Sequence, residues 1–367
     1  MGVRSGRVTT AIMHDRRRRG ADSPGTSGTV VTTLVPMQSR TLGRTGRSVS
    51  VVGLGTWQFG GDWGPVSERD AAAVMDASVE SGVTLFDTAD VYGDGRSEQL
   101  IGSWRKANPD VPLTVTTKMG RRADQVPSNY VAANFREWVD RSRRNLQQDT
   151  LDLVQLHCPP TPVFEDDAVY DALDALVADG SVAAYGVSVE TADQALTAIA
   201  RPHVASVQVI LNAFRLKPLD RVLPAAREAG VGILARVPLA SGLLSGKYTA
   251  ETTFSEGDHR NYNRHGEAFD QGETFSGVDF EDGVQAAQAF AAALPDGISV
   301  PQAALAWIVA QDGVTAAIPG ARNPEQARSN AGAADLVGGS ALDLGSLDST
   351  VHELYDRWFR ATVHDRW

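Results

Sequence analysis

The sequence has a single cysteine and no long hydrophobic run. The one cysteine, Cys158, excludes a disulfide bond within the chain and is typical of a reducing compartment, so we expect a cytoplasmic location. No apolar stretch approaches the roughly 20 residues that a membrane-spanning helix needs. The sequence therefore predicts neither a disulfide-stabilised fold nor a membrane protein.

Lysine is also scarce, because only four of the 34 basic residues are lysines. The formal net charge is −11, although residues 1–36 are basic and hold six arginines against Asp15 and Asp22. The rest of the chain therefore carries a formal charge of about −15. An acidic body of this kind argues against nucleic acid as the main partner.

Residues 1–36 differ in composition from the rest of the chain. They include four consecutive arginines at 16–19 and are rich in Ser, Gly and Thr, which predicts a disordered leader. A functional arm, a targeting signal and an over-extended start before Met37 are the other interpretations. No continuous apolar segment of about 7 to 15 residues, typical of a secretory signal, follows the arginines. Residues 37–367 are expected to form one large domain.

From residue 40 onward, short apolar runs alternate with helical stretches. The apolar runs predict strands at 51–53, 84–87, 113–118, 151–157, 183–188, 206–210, 232–236 and 315–318. Stretches rich in Ala, Leu and Val predict helices at 68–80, 97–107, 131–146, 168–177, 192–200, 219–229, 301–310 and 324–334. Ser67 and Asn323 stand at N-cap positions of two of these helices. Eight strand–helix units favour an α/β fold, a closed (β/α)8 TIM barrel, over an open sheet.

Two further segments have a predicted place in this barrel. Residues 40–42 and 48–51 flank Gly43-Arg44-Thr45-Gly46, which predicts a β-hairpin that plugs the floor of the barrel. After the seventh strand, residues 248–280 are glycine-rich, charged and too long for a simple connection. We expect this long loop to be a mobile flap over a cofactor or substrate.

Four polar residues, Asp87, Tyr92, Lys118 and His157, close or follow successive predicted strands. The carboxyl ends of the strands of a parallel barrel meet at one face, so we expect these residues to form one site. A tyrosine phenol, whose usual pKa is about 10, is a weak acid at neutral pH, and a neighbouring ammonium eases the loss of its proton. We expect Lys118 to supply that ammonium, Asp87 to keep it placed and charged, and His157 to orient a substrate carbonyl. Such a site still needs a source of hydride.

These four residues belong to a longer series of spaced motifs. The series comprises Gly53-Leu54-Gly55-Thr56-Trp57, Asp87 to Tyr92 with Gly93 and Ser97-Glu98, Lys118, Asp152 to His157, Gly186-Val187-Ser188, Gln208 with Asn212, Pro238 to Lys247, and Ile318 to Arg322 with Gln326 and Asn330. On these residues the sequence resembles the aldo-keto reductases from about Arg40 onward, and in particular the bacterial branch that is also similar to potassium-channel β subunits. The resemblance implies a TIM barrel without a Rossmann domain that binds NADPH or NADP+ extended across the strand ends.

The resemblance also implies a role for each matching residue. Asp87, Tyr92, Lys118 and His157 carry over as a catalytic tetrad, with Tyr92 as the general acid in carbonyl reduction. Ser188 and Gln208 match residues that hold the nicotinamide carboxamide. A forked guanidinium such as that of Arg322 can bond two oxygens of a 2′-phosphate, so NADPH is expected over NADH. Cofactor contacts are implied at Gly55, Thr56, Trp57, Ser188, Gln208, Arg236, Leu239, Gly242, Leu244, Lys247, Gly320, Arg322, Gln326 and Asn330.

Two positions depart from the pattern of the family. Val189 follows Ser188 where the family usually has Asn, so one amide contact to the nicotinamide is lost or replaced. Arg236 stands where many relatives place an aromatic residue under the nicotinamide ring. A guanidinium is planar and can stack there or contact phosphate. We therefore expect cofactor binding with altered geometry.

The loop after the first strand is rich in aromatic residues. Trp57, Phe59 and Trp63 are either packed locally or form a substrate wall, which would favour aldehydes and ketones with apolar or ring-shaped bodies. His259 and His265 have no nearby cluster of ligand residues, so no metal site is predicted.

The expected function is the NADPH-dependent reduction of a small-molecule aldehyde or ketone, with the reverse oxidation as the alcohol dehydrogenase reaction. One alternative is an NADPH-sensing interaction protein with slow turnover. The other is an aldolase that uses Lys118 as a Schiff-base nucleophile, which needs a lowered lysine pKa that a neighbouring Asp87 opposes. The sequence leaves the substrate and a homo-oligomeric state open.

Overall fold

Eight parallel strands form the centre of the fold. The computed structural model describes residues 37–61, 66–265, 267 and 274–367, so the predicted leader lies outside the described residues. After two hairpin strands, β1 and β2, the parallel strands are β3 (Leu54–Gly55), β4 (Leu85–Asp87), β5 (Thr114–Met119), β6 (Leu153–His157), β7 (Tyr185–Ser188), β8 (Val204–Ile210), β9 (Gly232–Arg236) and β10 (Val314–Ala317). Each strand pairs with the next one along the chain.

Contacts between the first and last parallel strands close the barrel. Val52 forms a parallel bridge with Ala317, and Gly55 forms one with Gly320. The backbone N–H of Gly55 also donates to the carbonyl of Pro319 at 2.9 Å. The (β/α)8 TIM barrel that the sequence predicts is confirmed.

The first barrel strand begins later than predicted. The apolar run at 51–53 predicted a strand, whereas the ladder contains Leu54–Gly55. Val51 donates its N–H to the carbonyl of Gln38, beside the hairpin. The apolar run therefore continues from the hairpin into the barrel, and hydrophobicity alone does not mark where the parallel ladder starts.

All eight predicted helices are present. The α-helices of the described residues are α1 (Glu68–Glu80), α2 (Arg96–Ala107), α3 (Ala132–Leu146), α4 (Asp167–Ala178), α5 (Ala192–Ile199), α6 (Lys217–Ala229), α7 (His259–Tyr262), α8 (Phe280–Ala292), α9 (Val300–Ala310), α10 (Pro324–Ala331), α11 (Leu344–Trp358) and α12 (Arg360–Val363). Ser67 accepts from the N–H of Asp70 at 3.1 Å, and Asn323 accepts from that of Gln326 at 2.8 Å, as N-caps do. The sequence prediction lacked α7, α8, α11 and α12, which lie outside the strand–helix repeat.

The predicted hairpin covers the floor of the barrel, where the strands begin. Strands β1 (Ser39–Thr41) and β2 (Ser48–Ser50) pair antiparallel. Leu42 and Val49 are fully buried and pack against residues of the barrel strands, namely Leu85, Leu153, Ala205, Leu234, Ala316 and Ile318. Between them Gly43 has φ +47°, and a Cβ at this position would lie 2.0 Å from the carbonyl oxygen of Ala205. The close approach therefore requires glycine.

The described part of the segment after β9 packs through aromatic rings. Ring centroids are 5.4 Å apart for Tyr248 and Phe254, 5.8 Å for Phe254 and Phe275, and 5.1 Å for Phe275 and Phe280. The mobility of this flap stays a prediction. Among the helices described here, none is both long and apolar enough to cross a membrane.

Candidate active site

A buried ion pair forms the centre of the candidate site. Asp87 ends β4 and Lys118 lies on the neighbouring β5, so the parallel pairing brings their side chains together. Lys118 Nζ lies 2.6 Å from Asp87 Oδ2, 2.9 Å from the carbonyl oxygen of Thr88 and 3.4 Å from Tyr92 Oη. Asp87 and Lys118 are 4% and 1% exposed, respectively. The ammonium therefore stands next to the tyrosine hydroxyl in a place that water barely reaches.

Neutral donors complete the surroundings of Asp87. Its Oδ1 accepts hydrogen bonds from Thr116 Oγ1 at 2.7 Å, from Gln208 Nε2 at 2.8 Å and from Gln155 Nε2 at 3.4 Å. A buried charge is tolerated when it is both paired and hydrogen-bonded. Strands β5, β6 and β8 thus supply the groups that hold this carboxylate in one position.

Tyr92 lies between two aromatic groups. Its ring makes an edge contact with His157 at 6.0 Å between centroids and a stacked contact with Trp57 at 6.2 Å. His157 ends β6, and its carbonyl accepts a hydrogen bond from Arg121 Nε at 3.1 Å. The end of β6 and the loop after β3 therefore supply the rings that contact the candidate proton donor.

Close backbone contact fixes the loop that carries Tyr92. A Cβ on Gly60 would lie 2.6 Å from the backbone nitrogen of Gly93, and Gly93 itself has φ +59°. Arg96, at the start of α2, donates to the carbonyls of Phe59 and Val66. Glycine at 60 and 93 lets the loops after β3 and β4 touch, which holds Trp57 and Tyr92 side by side.

A cavity of about 700 Å³ opens beside these residues. This volume is typical of a small-molecule or cofactor site. Asp87 and Tyr92 line it together with twelve of the predicted cofactor residues: Gly55, Thr56, Trp57, Gln208, Arg236, Leu239, Gly242, Lys247, Gly320, Arg322, Gln326 and Asn330. The cavity therefore joins Asp87 and Tyr92 to a series of polar and cationic groups, while Lys118 and His157 do not line it.

Some predicted contacts lie elsewhere. Phe59 is 1% exposed and belongs to the hydrophobic core, so the interpretation of its ring as a substrate wall is wrong. Leu244 and Ser188 do not line the cavity; Leu244 is fully buried, and Ser188 is 1% exposed. Trp63 lies outside the described residues, so of the predicted aromatic wall only Trp57 is seen to line the cavity.

Ser188 belongs to a small buried cluster that includes both departures from the family pattern. Ser188 Oγ lies 3.4 Å from Cys158 Sγ. Arg236 is 7% exposed, and its Nη2 lies 3.6 Å from Cys158 Sγ and 3.4 Å from the carbonyl oxygen of Val189. The guanidinium thus reaches from the end of β9 to residues at the ends of β6 and β7, next to His157.

Strained backbone is concentrated at this end of the barrel. Cys158, Val237, Ala240 and Ser241 have φ between 47° and 52°, a region that residues with a Cβ seldom adopt. Val237 stands out because its β-branched side chain makes this conformation still less favourable. Strain that a fold maintains at one place is a mark of a functional site.

The segment after β9, predicted as a flap over a cofactor or substrate, contributes a wall of the cavity whose side chains the sequence analysis did not name. Tyr248, Thr252, Thr253, Phe254 and Arg260 line the same cavity. The guanidinium of Arg260 is paired with Asp258, its Nε 2.8 Å from Asp258 Oδ1. Charge in a glycine-rich segment was the only sign of this wall in the sequence, and it does not identify which side chains turn inward.

His259 was considered only as a metal ligand, yet it packs against Trp57, a residue of the cavity lining. Its ring centroid lies 4.8 Å from that of Trp57, and the side chain is fully buried. Burial lowers the pKa of His259 to about 4, so the imidazole is neutral at pH 7. The segment after β9 therefore presses an uncharged ring against the aromatic residue that stacks on Tyr92.

A second buried carboxyl group lies close to the tetrad. Asp90 is fully buried, its backbone N–H donates to the carbonyl of Lys118, and neither side-chain oxygen has a hydrogen-bond partner within the part of the chain described. Burial, together with the charge of Glu98, raises the pKa of Asp90 to about 8 against the opposing effect of Arg122, Arg141 and Lys118. This carboxyl group is therefore mostly protonated at neutral pH.

The fold and the site together define a class: (β/α)8-barrel enzymes in which a tyrosine, paired with a buried lysine and aspartate, borders a large cavity at the carboxyl ends of the strands. The model of the Aldo/keto reductase family matches residues 51–349, and the chain belongs to this family. The chain is thus a nicotinamide-dependent oxidoreductase by class.

Curated relatives agree with this assignment. The aldo-keto reductase YhdN of Bacillus subtilis is 32% identical over 294 residues, which cover 79% of this chain and 86% of YhdN. The uncharacterized oxidoreductase Rv2298 of Mycobacterium tuberculosis is 32% identical over 296 residues, 78% of this chain and 85% of the relative.

Solved structures share the fold. The glycerol dehydrogenase AKR11B4 from Gluconobacter oxydans has a TM-score of 0.69 and 28% identity, covering 88% of this chain and 95% of that one. An aldo-keto reductase from Klebsiella pneumoniae, solved in complex with NADPH, has a TM-score of 0.64 and 24% identity over 88% of this chain and 96% of its own. The second likeness supports the fold alone.

Proposed function

We propose that this protein reduces aldehydes or ketones to alcohols with NADPH, and that Tyr92 is the general acid. The observation that carries the proposal is the position of Lys118 Nζ, 2.6 Å from Asp87 and 3.4 Å from Tyr92 Oη, at the wall of a cavity of about 700 Å³. An ammonium held beside a phenol favours transfer of the phenolic proton, because it stabilises the anion left behind.

The residues of the chain divide the chemistry as follows. When bound, the nicotinamide supplies the hydride that the carbonyl carbon accepts. Tyr92 donates its proton to the carbonyl oxygen, and Lys118 stabilises the developing phenolate. Asp87 holds Lys118 in place, and His157, at the edge of the Tyr92 ring, orients the carbonyl oxygen. Reversal of the same proton transfers oxidises an alcohol.

The lining of the cavity fits NADPH. Lys247 and Arg322 provide cations for phosphate groups, and Gln326 and Asn330 lie beside them on the same wall. Gln326 Oε1 accepts from the backbone N–H of Arg322 at 2.9 Å, and Asn330 Nδ2 donates to the carbonyl of Gly320 at 3.1 Å, so both amides order the turn that presents the guanidinium. We propose that Arg322 contacts the 2′-phosphate, which favours NADPH over NADH.

The remaining predicted cofactor residues are proposed in the same roles. We assign Ser188 and Gln208 to the nicotinamide carboxamide, and Leu239, Gly242 and Lys247 to the pyrophosphate. Gln208 donates to Asp87 at 2.8 Å, so its amide is already oriented by the tetrad. Leu244 supports this turn from inside the core, since its backbone N–H donates to the carbonyl of Leu239 at 3.2 Å.

The substrate class follows from the aromatic wall. Trp57 lines the cavity and stacks on Tyr92, and the neutral His259 packs against it, which suits carbonyl compounds with apolar or ring-shaped bodies. The glycerol dehydrogenase from Gluconobacter oxydans makes small polyols the competing class. Aromatic aldehydes and glycerol are therefore the first pair of substrates to compare.

The aldolase alternative is disfavoured. Lys118 Nζ is bonded to Asp87 at 2.6 Å and to the carbonyl oxygen of Thr88 at 2.9 Å, so the strands hold it away from the role of a free Schiff-base nucleophile. Slow turnover with tight NADPH binding would favour the sensing function instead.

The change in absorbance at the nicotinamide band tests the proposal. Reduction is measured with NADPH and then with NADH on aromatic and aliphatic aldehydes, and oxidation is measured with NADP+ on glycerol. We expect turnover with a preference for NADPH and a loss of kcat of about a thousandfold in Tyr92→Phe. Tyr170→Phe, on α4 and in contact with Arg201, is the matched control and is expected to keep wild-type turnover. Tight NADPH binding without turnover of any substrate would contradict catalysis and support sensing.

A further inference from the structure

The turn after β8 connects several loops at the mouth of the barrel. Residues Asn212 and Arg215 form an antiparallel bridge that closes this turn. Asn212 Nδ2 donates to the carbonyl of Val237 at 2.9 Å and to Ser276 Oγ at 2.7 Å, so it contacts both the loop after β9 and the returning part of the flap. The turn is therefore a fixed point to which neighbouring loops are attached.

Arg215 attaches the loop after β7 to the same turn. The side chain is 2% exposed, and its Nη2 donates to the carbonyl of Glu190 at 2.8 Å. Glu190 stands two residues after Ser188, the residue assigned to the nicotinamide carboxamide, and directly after Val189, whose carbonyl lies 3.4 Å from Arg236 Nη2. The position of this short segment thus depends on a buried guanidinium.

Trp367 holds that guanidinium from the other side. The Cζ atom of Arg215 lies 3.8 Å from the centre of the Trp367 ring, in cation–π contact. The carbonyl of Trp367 accepts from the N–H of Ala192 at 3.4 Å, and Arg366 Nη1 donates to the carbonyl of Gly277 at 3.3 Å. Residues 366–367 therefore touch both the loop after β7 and the flap segment.

We propose that Arg215 and Trp367 are positioning residues for the nicotinamide end of the cofactor site. The inference rests on the proposed function, because it assigns them the task of fixing the segment Ser188 to Glu190. A planar guanidinium can stack on an indole with its face while it donates hydrogen bonds in its own plane, and a lysine ammonium lacks this combination. Loss of the stack frees the guanidinium, and the carbonyl of Glu190 loses its fixed donor.

The test is a fluorescence titration with NADPH on the full-length protein. The variants are Trp367→Ala, Trp367→Phe and Arg215→Lys, each with its melting temperature measured. Trp358→Ala is the matched control, since Trp358 also stacks with an arginine, Arg357, at 4.2 Å, but on α11. We expect Trp367→Ala and Arg215→Lys to raise the Kd for NADPH about tenfold, equivalent to about 1.4 kcal/mol.

The outcomes separate this inference from a merely structural role. Trp367→Phe keeps an aromatic face and is expected to bind within about twofold of wild type, as is Trp358→Ala. Equal weakening in Trp358→Ala, or an unchanged Kd in Trp367→Ala and Arg215→Lys, would overturn the inference. Should Trp367→Ala fail to fold, Arg215→Lys and Trp367→Phe decide it alone. If the wild-type protein does not bind NADPH, the proposed function itself is contradicted, not only this inference.

Discussion

The two ends of the barrel differ in what fills them. A cavity of about 530 Å³ lies at the floor and one of about 700 Å³ at the mouth. Among the residues that line the floor cavity, the ionisable side chains are Arg40, Arg227 and Asp312, and Arg227 is paired with Asp312 in solvent. The mouth instead holds the buried pair of Lys118 and Asp87. Size alone therefore does not distinguish the active end; a desolvated, fully bonded charge pair does.

The packing beneath the two cavities differs as well. Leu42 and Val49 seal the floor with apolar contacts, whereas strained backbone at Cys158 and Val237 accompanies the polar mouth. In TIM barrels generally, the face where the strands begin serves stability and the face where they end carries the chemistry, and we expect the same division here. Substitutions at the two ends should accordingly change different measurements.

The largest expected effect is at the mouth. Lys118→Met removes the ammonium beside Tyr92, and we expect kcat to fall about a thousandfold. It also leaves Asp87 without its ion-pair partner, which should cost about 3 kcal/mol of unfolding free energy. Steady-state kinetics and urea unfolding measure the two losses. Lys106→Met, on the exposed side of α2, is the control, and wild-type turnover by Lys118→Met would refute the assigned role.

The second expected effect is a loss of stability at the floor of the barrel, which should leave cofactor binding at the mouth unchanged. Leu42→Ala removes a fully buried side chain from the plug, and we expect a loss of about 3 kcal/mol of unfolding free energy. The Kd for NADPH should remain within about twofold of wild type at a temperature where the variant is folded. Leu100→Ala, at a partly buried position on α2, should cost less. A weakened Kd in Leu42→Ala would show that the two ends are coupled.

The sequence predicts that Asp87, Tyr92, Lys118 and His157 lie close together, and the structure places them so because their positions follow from strand order. Asp87 ends β4, and Lys118 lies on β5, the neighbouring parallel strand. In the sequence, a polar residue at the end of an apolar run marks where such a strand ends. The same rule says nothing about loops. Phe59 fails as a wall residue because a short helical turn after β3 directs its ring into the core.

Residues that depend on contacts between distant parts of the chain were not predictable. His259 meets Trp57 across 202 positions, and Arg215 meets Trp367 across 152. No periodicity connects such positions, so only the folded arrangement shows that they meet. The start of β3 was misplaced for a related reason, since one apolar run serves both the hairpin and the barrel.

A third experiment concerns the unused carboxyl group at the mouth. Burial raises the pKa of Asp90 to about 8, whereas its carboxyl group ionises near pH 4 in the unfolded chain. Between these values the folded state holds a proton that the unfolded state has lost, so stability falls as the pH rises from about 4 to 8. Asp90→Asn removes this dependence and should be more stable than wild type by up to about 5 kcal/mol at pH 8, with little difference at pH 4.

Thermal unfolding of Asp90→Asn and wild type across this pH range makes the measurement. Asp94→Asn is a useful contrast, because the Arg122 guanidinium lowers the pKa of the exposed Asp94 carboxyl. That carboxylate contributes stability above the pKa of an ordinary carboxyl, and the contribution is lost as the pH falls. Parallel pH profiles for Asp90→Asn and wild type would show that Asp90 is ionised in the folded protein.

The smallest expected effect compares an arginine that lines the mouth cavity, Arg322, with an arginine on the protein surface, Arg328. Arg322→Gln should raise the KM for NADPH about tenfold, equivalent to about 1.4 kcal/mol, because a neutral amide cannot bond a 2′-phosphate as a forked cation does. The KM for NADH, which lacks that phosphate, should stay within about twofold of wild type. Arg328→Gln is the matched control on α10, the helix that follows the turn of Arg322, where Arg328 pairs with Glu80 at 3.2 Å on the surface. Equal changes in both KM values would mean that Arg322 orders the turn rather than reads the phosphate.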